Sequence, residues 1–343
     1  MKKIGVRLRF HLMERASYGV AWKWSLTPIF MLFTIGVALA TAGCISVYLF
    51  PPTLPLREKT IQGTAAEKIL LVDLSGIISE KGAGSSLSLS EDVVSRIKEE
   101  LTLAAEDDQI KALLLRINSP GGTVTASDLI HHEITAFKTK RRVPVVAIIM
   151  DVGASGGYYV AAAADRIIAH PTSVTGSVGV IMLRVNAEGL LQKIGIETGT
   201  IKSGAKKDIG SPFRPMGEDE RAIFQTMIDG FQSRFLDVVS KGRGSLPAER
   251  LKLVADGRVL TGPQALQLGL VDQIGYLDDA LTTAKQVAGL TDARVVIYAR
   301  PGSYKQNIYS QLQGESSIEA LARLDVMSLV RGGTPQFLYL WMP

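Results

Sequence analysis

Three nearly unbroken apolar runs, each closed by a turn and followed by a helical stripe, constrain this chain more than any other feature. Ile69-Leu-Leu-Val-Asp-Leu74, Ile110-Lys-Ala-Leu-Leu-Leu-Arg-Ile117 and Val143 to Met150 lack the apolar–polar alternation of a half-exposed strand. They read as strands buried on both faces. Between the first two, Ser90 to Glu106 carries apolar residues at 93, 94, 97, 101 and 104, a helix with Ser90 as its N-cap. A helix from Val124 to Lys138 follows the second run, and an alanine-rich helix follows the third, starting at Ser155. Further along, Arg166–Ala169, Gly179–Leu183, Thr198–Lys202 and Val295–Tyr298 read as short strands. Gly217–Lys241, Leu260–Gly269 and Asp278–Ala288 read as helices. Alternation of this kind predicts an α/β domain of parallel strands covered by helices.

The formal charge of +5 is unevenly placed. Lys2, Lys3, Arg7, Arg9, Arg15 and Lys23 precede residue 25 against Glu14 alone, and the remaining chain holds 32 basic and 32 acidic residues. No basic face for nucleic acid is implied. Ser25 to Phe50 contains no charged residue. As a helix it would reach about 39 Å, enough for a hydrocarbon core of roughly 30 Å. Trp22, Trp24 and Tyr48 stand where interfacial aromatic belts form, and Pro51-Pro52 ends the span. The expectation is a basic cytoplasmic tail (1–24), one transmembrane helix in the bilayer (25–50), a polar linker (51–67) and a domain outside the cytoplasm (68–343), with a C-terminal extension from about 291. The positive-inside rule sets that direction. A cleaved signal peptide, or lipidation at Thr41-Ala-Gly-Cys44, is the rival reading. Cys44 is the single cysteine, so no disulfide framework exists.

Two glycine-rich turns close the second and third apolar runs: Ser119-Pro-Gly-Gly122 and Gly153-Ala-Ser-Gly-Gly157. Turns at the carboxyl ends of neighbouring parallel strands share one sheet edge, where α/β sites form. Ser155, at a strand-to-helix turn, projects a hydroxyl suited to nucleophilic attack. The amide of Gly156 and one from Gly121 or Gly122 can converge as an oxyanion hole.

A serine nucleophile needs a base. Gly153-Ala-Ser-Gly-Gly157 fits G-x-S-x-G, but only His170 follows Ser155, which leaves no histidine and acid in the hydrolase order. His131 and His132 lie on a helix and read as a solvated face. A lysine base is the alternative, and it must be kept neutral by burial or by a cationic neighbour. Lys202, Lys206 and Lys207 cluster in Ile201-Lys-Ser-Gly-Ala-Lys-Lys-Asp-Ile-Gly-Ser-Pro212, which by composition alone reads as a solvated basic turn.

From about residue 66 to 290 the chain resembles the short bacterial signal peptide peptidases of the S49 family of serine peptidases. The resemblance rests on Arg116-Ile-Asn-Ser-Pro-Gly-Gly122, Asp151-Val-Gly-Ala-Ser-Gly-Gly-Tyr-Tyr159, Thr175-Gly-Ser-Val-Gly-Val180, residues 201–212 and Gly257-Arg-Val-Leu-Thr-Gly262, in that order. It implies a fold similar to Clp protease and the crotonases. It also implies a Ser–Lys dyad, with Ser155 as nucleophile, Lys207 rather than Lys206 as general base, and Ser177 as the serine that orients the lysine. No metal or cofactor is expected. The implied substrates are cleaved signal peptides and other extended apolar peptides, met at the bacterial inner membrane. The implied assembly is a homo-oligomer whose neighbouring subunits share each site. An acyl-CoA enzyme of crotonase type and a catalytically silent scaffold are the competing readings.

Overall fold

The computed structural model describes residues 54–80, 92–244, 246–301, 307–310 and 336–342. Residues 25–50, expected to span the membrane, lie outside the described residues, as does Ser90. Among the described residues no helix is long and apolar enough to cross a membrane.

A parallel core of β2 (Lys68–Ser75), β3 (Ile110–Ser119), β5 (Val145–Ala154) and β6 (Arg166–Ala169) forms the centre of the main sheet. Two strands on its flanks, β11 (Arg294–Ala299) and β10 (Gln273–Ile274), also run parallel to their inner neighbours; with β1 (Arg57–Gln62) the order is β1-β11-β2-β3-β5-β6-β10, and β7 (Val174–Gly176) and β9 (Val259–Thr261) pair off this path. The alternation that the apolar runs conceal becomes visible in packing. Leu70, Val72, Leu113, Leu115, Val145 and Ala147 point into one buried cluster. Their neighbours Ile69, Leu71, Ala112, Leu114, Val146 and Ile148 point into another on the opposite face. Both faces are dry, which is why the sequence shows runs instead of alternation.

Helices α1 (Val93–Glu106), α2 (Val124–Arg141), α3 (Gly156–Ala161) and α5 (Glu218–Gly242) contribute to the first cluster, and α8 (Leu277–Val287) covers the second. The N-cap of α1 is Asp92, whose carboxylate accepts from the Ser95 N–H, in place of the expected Ser90. Shorter helices α4 (Glu188–Lys193), α6 (Ala248–Val254) and α7 (Gly262–Leu268) complete the described set.

Three expectations change. Arg57–Gln62, placed in the linker, is strand β1, paired antiparallel with β11. Its run Arg-Glu-Lys-Thr-Ile-Gln is polar because it is an exposed edge, and edge strands carry charge. Strand β11 in turn lies between β1 and β2, so residues through Ala299 belong to the main sheet and not to an extension. Thr198–Lys202 is not a strand; it runs through an exposed irregular segment. Phe337–Trp341 is packed within its own chain: β12 (Gln336–Leu340) lies between β4 (Gly121–Thr123) and β8 (Ile181–Leu183), antiparallel to both.

Candidate active site

The site is built where β2, β3 and β5 end. Register pairs Ser75 with Asn118 and Ser119 with Gly153, so the two glycine turns emerge side by side. Strand β5 changes partner along its length: Val146–Ile149 pair with β6, and Val152–Ala154 pair with β7 (Val174–Gly176). That switch lifts the end of β5 beyond β6 and delivers Ser155 next to Gly176.

Ser155 has φ 53° and ψ −116°. A non-glycine residue held there costs about 1–3 kcal/mol, which the surroundings must sustain. They do so from two sides. The Ser155 N–H donates to Gly176 O at 2.8 Å, and Ser155 O accepts from the Tyr159 N–H at 2.8 Å. The residue is 1% exposed, and its hydroxyl makes no hydrogen bond with a described residue. A constrained backbone with an uncommitted hydroxyl is the arrangement a nucleophile requires.

Two close approaches join the glycine turns. A Cβ on Gly121, whose φ is +102°, would stand 2.6 Å from Gly156 N and 1.9 Å from Tyr339 O. One on Gly156 would stand 3.1 Å from Gly122 N and 2.4 Å from Ser127 Oγ. Only glycine permits this packing. Of the three expected oxyanion donors, two have partners within the chain: the Gly121 N–H donates to Ser119 Oγ at 3.1 Å, and Gly122 is paired with β12. Ile78 binds Gly121 O and the Thr123 N–H, at 2.9 and 2.8 Å, so Gly122 between them turns its own N–H to the other side. That side is β12: Gly122 is paired with Tyr339 there, so its N–H donates to Tyr339 O while β12 is seated, and Gly121 supplies the room for this approach beside Gly156.

Ser177 stands beside this centre. It follows Gly176, has φ 51°, is 8% exposed, and its N–H is held by Arg258 O at 2.7 Å. The lysines are elsewhere. Lys206 is ion-paired with Asp219, and Lys202 with Asp208 at 2.6 Å. Lys207 is exposed, with no ion pair to a described residue and no hydrogen bond to Ser155. Within one chain the structure therefore brings together Ser155, Gly122, Gly156 and Ser177 but not Lys207.

Several residues around the site carry roles that the sequence reading did not isolate. Arg116 is buried; its Nε donates to Asp73 at 2.8 Å, and its remaining nitrogens donate to Ile308 O and Ser310 O. It thereby ties residues 307–310 to the end of the sheet. Tyr159, on α3, donates its hydroxyl to Asp128, which also accepts from Arg234 Nη2 at 2.8 Å. Burial alone would raise the Asp128 carboxyl, but the hydrogen bonds from Tyr159 and Arg234 hold it below the ordinary range. His131, expected on a solvated face, is half-buried with its ring edge-on to Tyr159 at 5.4 Å, and burial pushes it down to about 4. Only His132 is solvent-exposed. Tyr339 of β12 stacks on Tyr159 at 5.1 Å and donates its hydroxyl to Phe231 O at 2.8 Å.

Known proteins share much of this sequence. The S49 peptidase family profile matches residues 137–291, and the Clp protease profile matches residues 79–175. A protein of Enterococcus faecium that bears the name signal peptide peptidase SppA is 38% identical over 244 residues, 71% of this chain and 70% of that one. The chloroplastic serine protease SPPA of Arabidopsis thaliana is 34% identical over 248 residues, 71% of this chain but 36% of the plant protein. A protease of Synechocystis is 43% identical over 190 residues, 55% of this chain and 68% of its own length. With a parallel α/β core of Clp protease type and a constrained serine between two glycine turns, the chain belongs to the S49 family of serine peptidases.

Proposed function

We propose that this serine peptidase works through a Ser155–Lys207 dyad and cleaves extended apolar peptides, released signal peptides among them, from a membrane anchor outside the cytoplasm. The observation that carries the chemistry is Ser155 at positive φ, hydroxyl uncommitted, with the amides of Gly122 and Gly156 drawn together beside it. In the acylation step Ser155 Oγ attacks the peptide carbonyl while the base takes its proton. The carbonyl oxygen gathers charge between the two amides, each of which is worth about 10²–10³ in rate. The protonated base then passes its proton to the leaving amine, and water repeats the sequence on the acyl-enzyme.

Lys206 is engaged by Asp219, which favours Lys207 as the base. A lysine base acts only when neutral, and burial is what keeps a lysine neutral. In the single chain Lys207 is exposed, so a neighbouring subunit must cover it at the serine it serves. The surrounding segment supports this reading: α4 buries no residue, and Leu190, Ile194, Ile196, Ile201 and Phe213 are all exposed. Apolar surface of that extent on one stretch is suited to a second copy.

The chain's own β12 supports the substrate class. Gln336–Leu340 is an extended, largely apolar segment seated as a strand between β4 and β8, with Tyr339 opposite Gly122. A peptide adding a strand to the same edges would present its backbone to the same amides. The relative named signal peptide peptidase points the same way. The charge asymmetry of residues 1–50 supports anchorage with the catalytic domain outside.

The decisive assay compares purified wild-type protein with Ser155→Ala, Lys207→Ala and Lys206→Ala on a fluorogenic apolar peptide. Ser155→Ala and Lys207→Ala are expected to be equally inactive, because the two act as one unit, while Lys206→Ala keeps most activity. Activity retained by Ser155→Ala removes the nucleophile assignment, and the opposite ranking of the lysines moves the base to Lys206.

A further inference from the structure

Ser119 has no place in the dyad or the oxyanion hole, yet it touches both halves of the site. It is the last residue of β3 and is 0% exposed. Its hydroxyl donates to Gly76 O at 2.6 Å, across 43 residues of chain, and accepts from the Gly121 N–H at 3.1 Å. One side chain thus fastens the turn that carries Gly122 to the loop leaving β2. The same residue packs against the nucleophile helix: a Cβ on Gly157 would stand 2.6 Å from Ser119 O and 3.5 Å from Ser119 Cβ. Neighbouring Asn118 reinforces the junction, its Oδ1 accepting from the Val152 N–H at 3.1 Å and its carbonyl from the Gly76 N–H at 3.0 Å. Pro120 carries no N–H of its own, and the next amide, Gly121, donates to the Ser119 hydroxyl.

We propose that Ser119 is a positioning residue for acyl transfer: its bridging hydroxyl sets where Gly122 presents its amide to the developing oxyanion. The proposal rests on the reading of Ser155 as nucleophile and of Gly122 and Gly156 as the oxyanion donors once a substrate strand takes the place of β12 at Gly122. Replacing Ser119 with alanine strips the partner from a buried N–H and a buried carbonyl, and the turn shifts to find others. Oxyanion donors act over a few tenths of an ångström, so the shift weakens the transition state more than the ground state.

The test uses a matched pair of substrates, a peptide ester and its thionoester, in which sulfur replaces the carbonyl oxygen. An oxyanion hole shaped for oxygen favours the ester, and the ratio of the two rates does not depend on how much enzyme is folded. Wild type is expected to prefer the ester strongly, and Ser155→Ala to hydrolyse neither. In Ser119→Ala, kcat for the ester should fall by about 10–100-fold with KM within about threefold, and the ester-to-thionoester ratio should fall about tenfold. Ser119→Cys, close in volume but a weak hydrogen-bonding group, should lie between, and Ser119→Thr, which restores a hydroxyl, should recover the ratio. A wild-type ratio in both Ser119→Ala and Ser119→Cys, with wild type discriminating normally, overturns the role of Ser119 and leaves the site reading standing. Should Ser119→Ala fail to fold, the ratio in Ser119→Cys decides alone. A wild-type enzyme that does not discriminate, or a Ser155→Ala variant that hydrolyses both substrates, overturns the site reading and the Ser119 role with it.

Discussion

Ser155 stores conformational cost at the turn proposed to carry the nucleophile. Its φ of 53° favours glycine, so Ser155→Gly should unfold at higher urea than Ser155→Ala, by about 1 kcal/mol, while both variants are inactive. Equal stability of the two would show that the backbone there is not strained. His131 makes a second prediction at this scale. The folded chain holds it at about 4, because burial disfavours the charged ring, whereas the unfolded chain leaves it near the ordinary 6.5. Between those values the unfolded state binds more protons, so stability falls as pH drops from about 6.5 towards 4 and is flat above that window. Its share of the loss is about 3 kcal/mol. Urea midpoints at pH 7 and pH 4.5 check this, and His131→Gln should flatten the difference. Asp128 acts lower: with its carboxyl held below the ordinary range, its contribution is present above about pH 4 and disappears only in stronger acid.

The element that most reshapes the site is β12. Tyr339 is fully buried, stacked on Tyr159 and packed at 4.7 Å from Phe235, so β12 is fastened to α3 and to α5 at once. Tyr339→Ala should cost about 3 kcal/mol in urea unfolding, as large aromatic deletions in cores do. Tyr339→Phe keeps the stacking and loses only the bond to Phe231 O, and should cost about 1 kcal/mol. A neutral Tyr339→Ala would mean that β12 contributes nothing to the folded core. Strand β1 illustrates the same lesson at an edge. Its charged composition conceals a strand because only one of its sides is paired, and pairing with β11 is a tertiary event.

At the scale of the whole molecule, the separation of Lys207 from Ser155 predicts complementation. Ser155→Ala and Lys207→Ala chains, each inactive alone, should regain activity when mixed under conditions of subunit exchange, since some junctions then pair an intact serine with an intact lysine. A two-subunit junction formed at random from equal amounts would restore on the order of a quarter of the wild-type activity, a loss of under 1 kcal/mol on the rate scale. Proven exchange with no recovered hydrolysis would place both groups of the dyad in one chain.

The sequence by itself determined the parallel α/β core, because runs such as Ile110–Ile117 can be dry on both faces only inside a covered parallel sheet. It also marked Ser155 and both glycine turns, since a serine among glycines at a strand end has few bland uses once a second such turn follows a neighbouring strand. What only the tertiary structure decided depends on long-range pairing. Local propensity cannot say that β5 leaves β6 for β7 at Val152, that the Gly121 amide is held by Ser119 while Gly122 faces Tyr339, or that residues 336–340 return to lie between β4 and β8. Those outcomes are set by which backbone groups find partners after the sheet has formed. Hydrogen bonds between segments 40 or 200 residues apart leave no period in the chain that makes them.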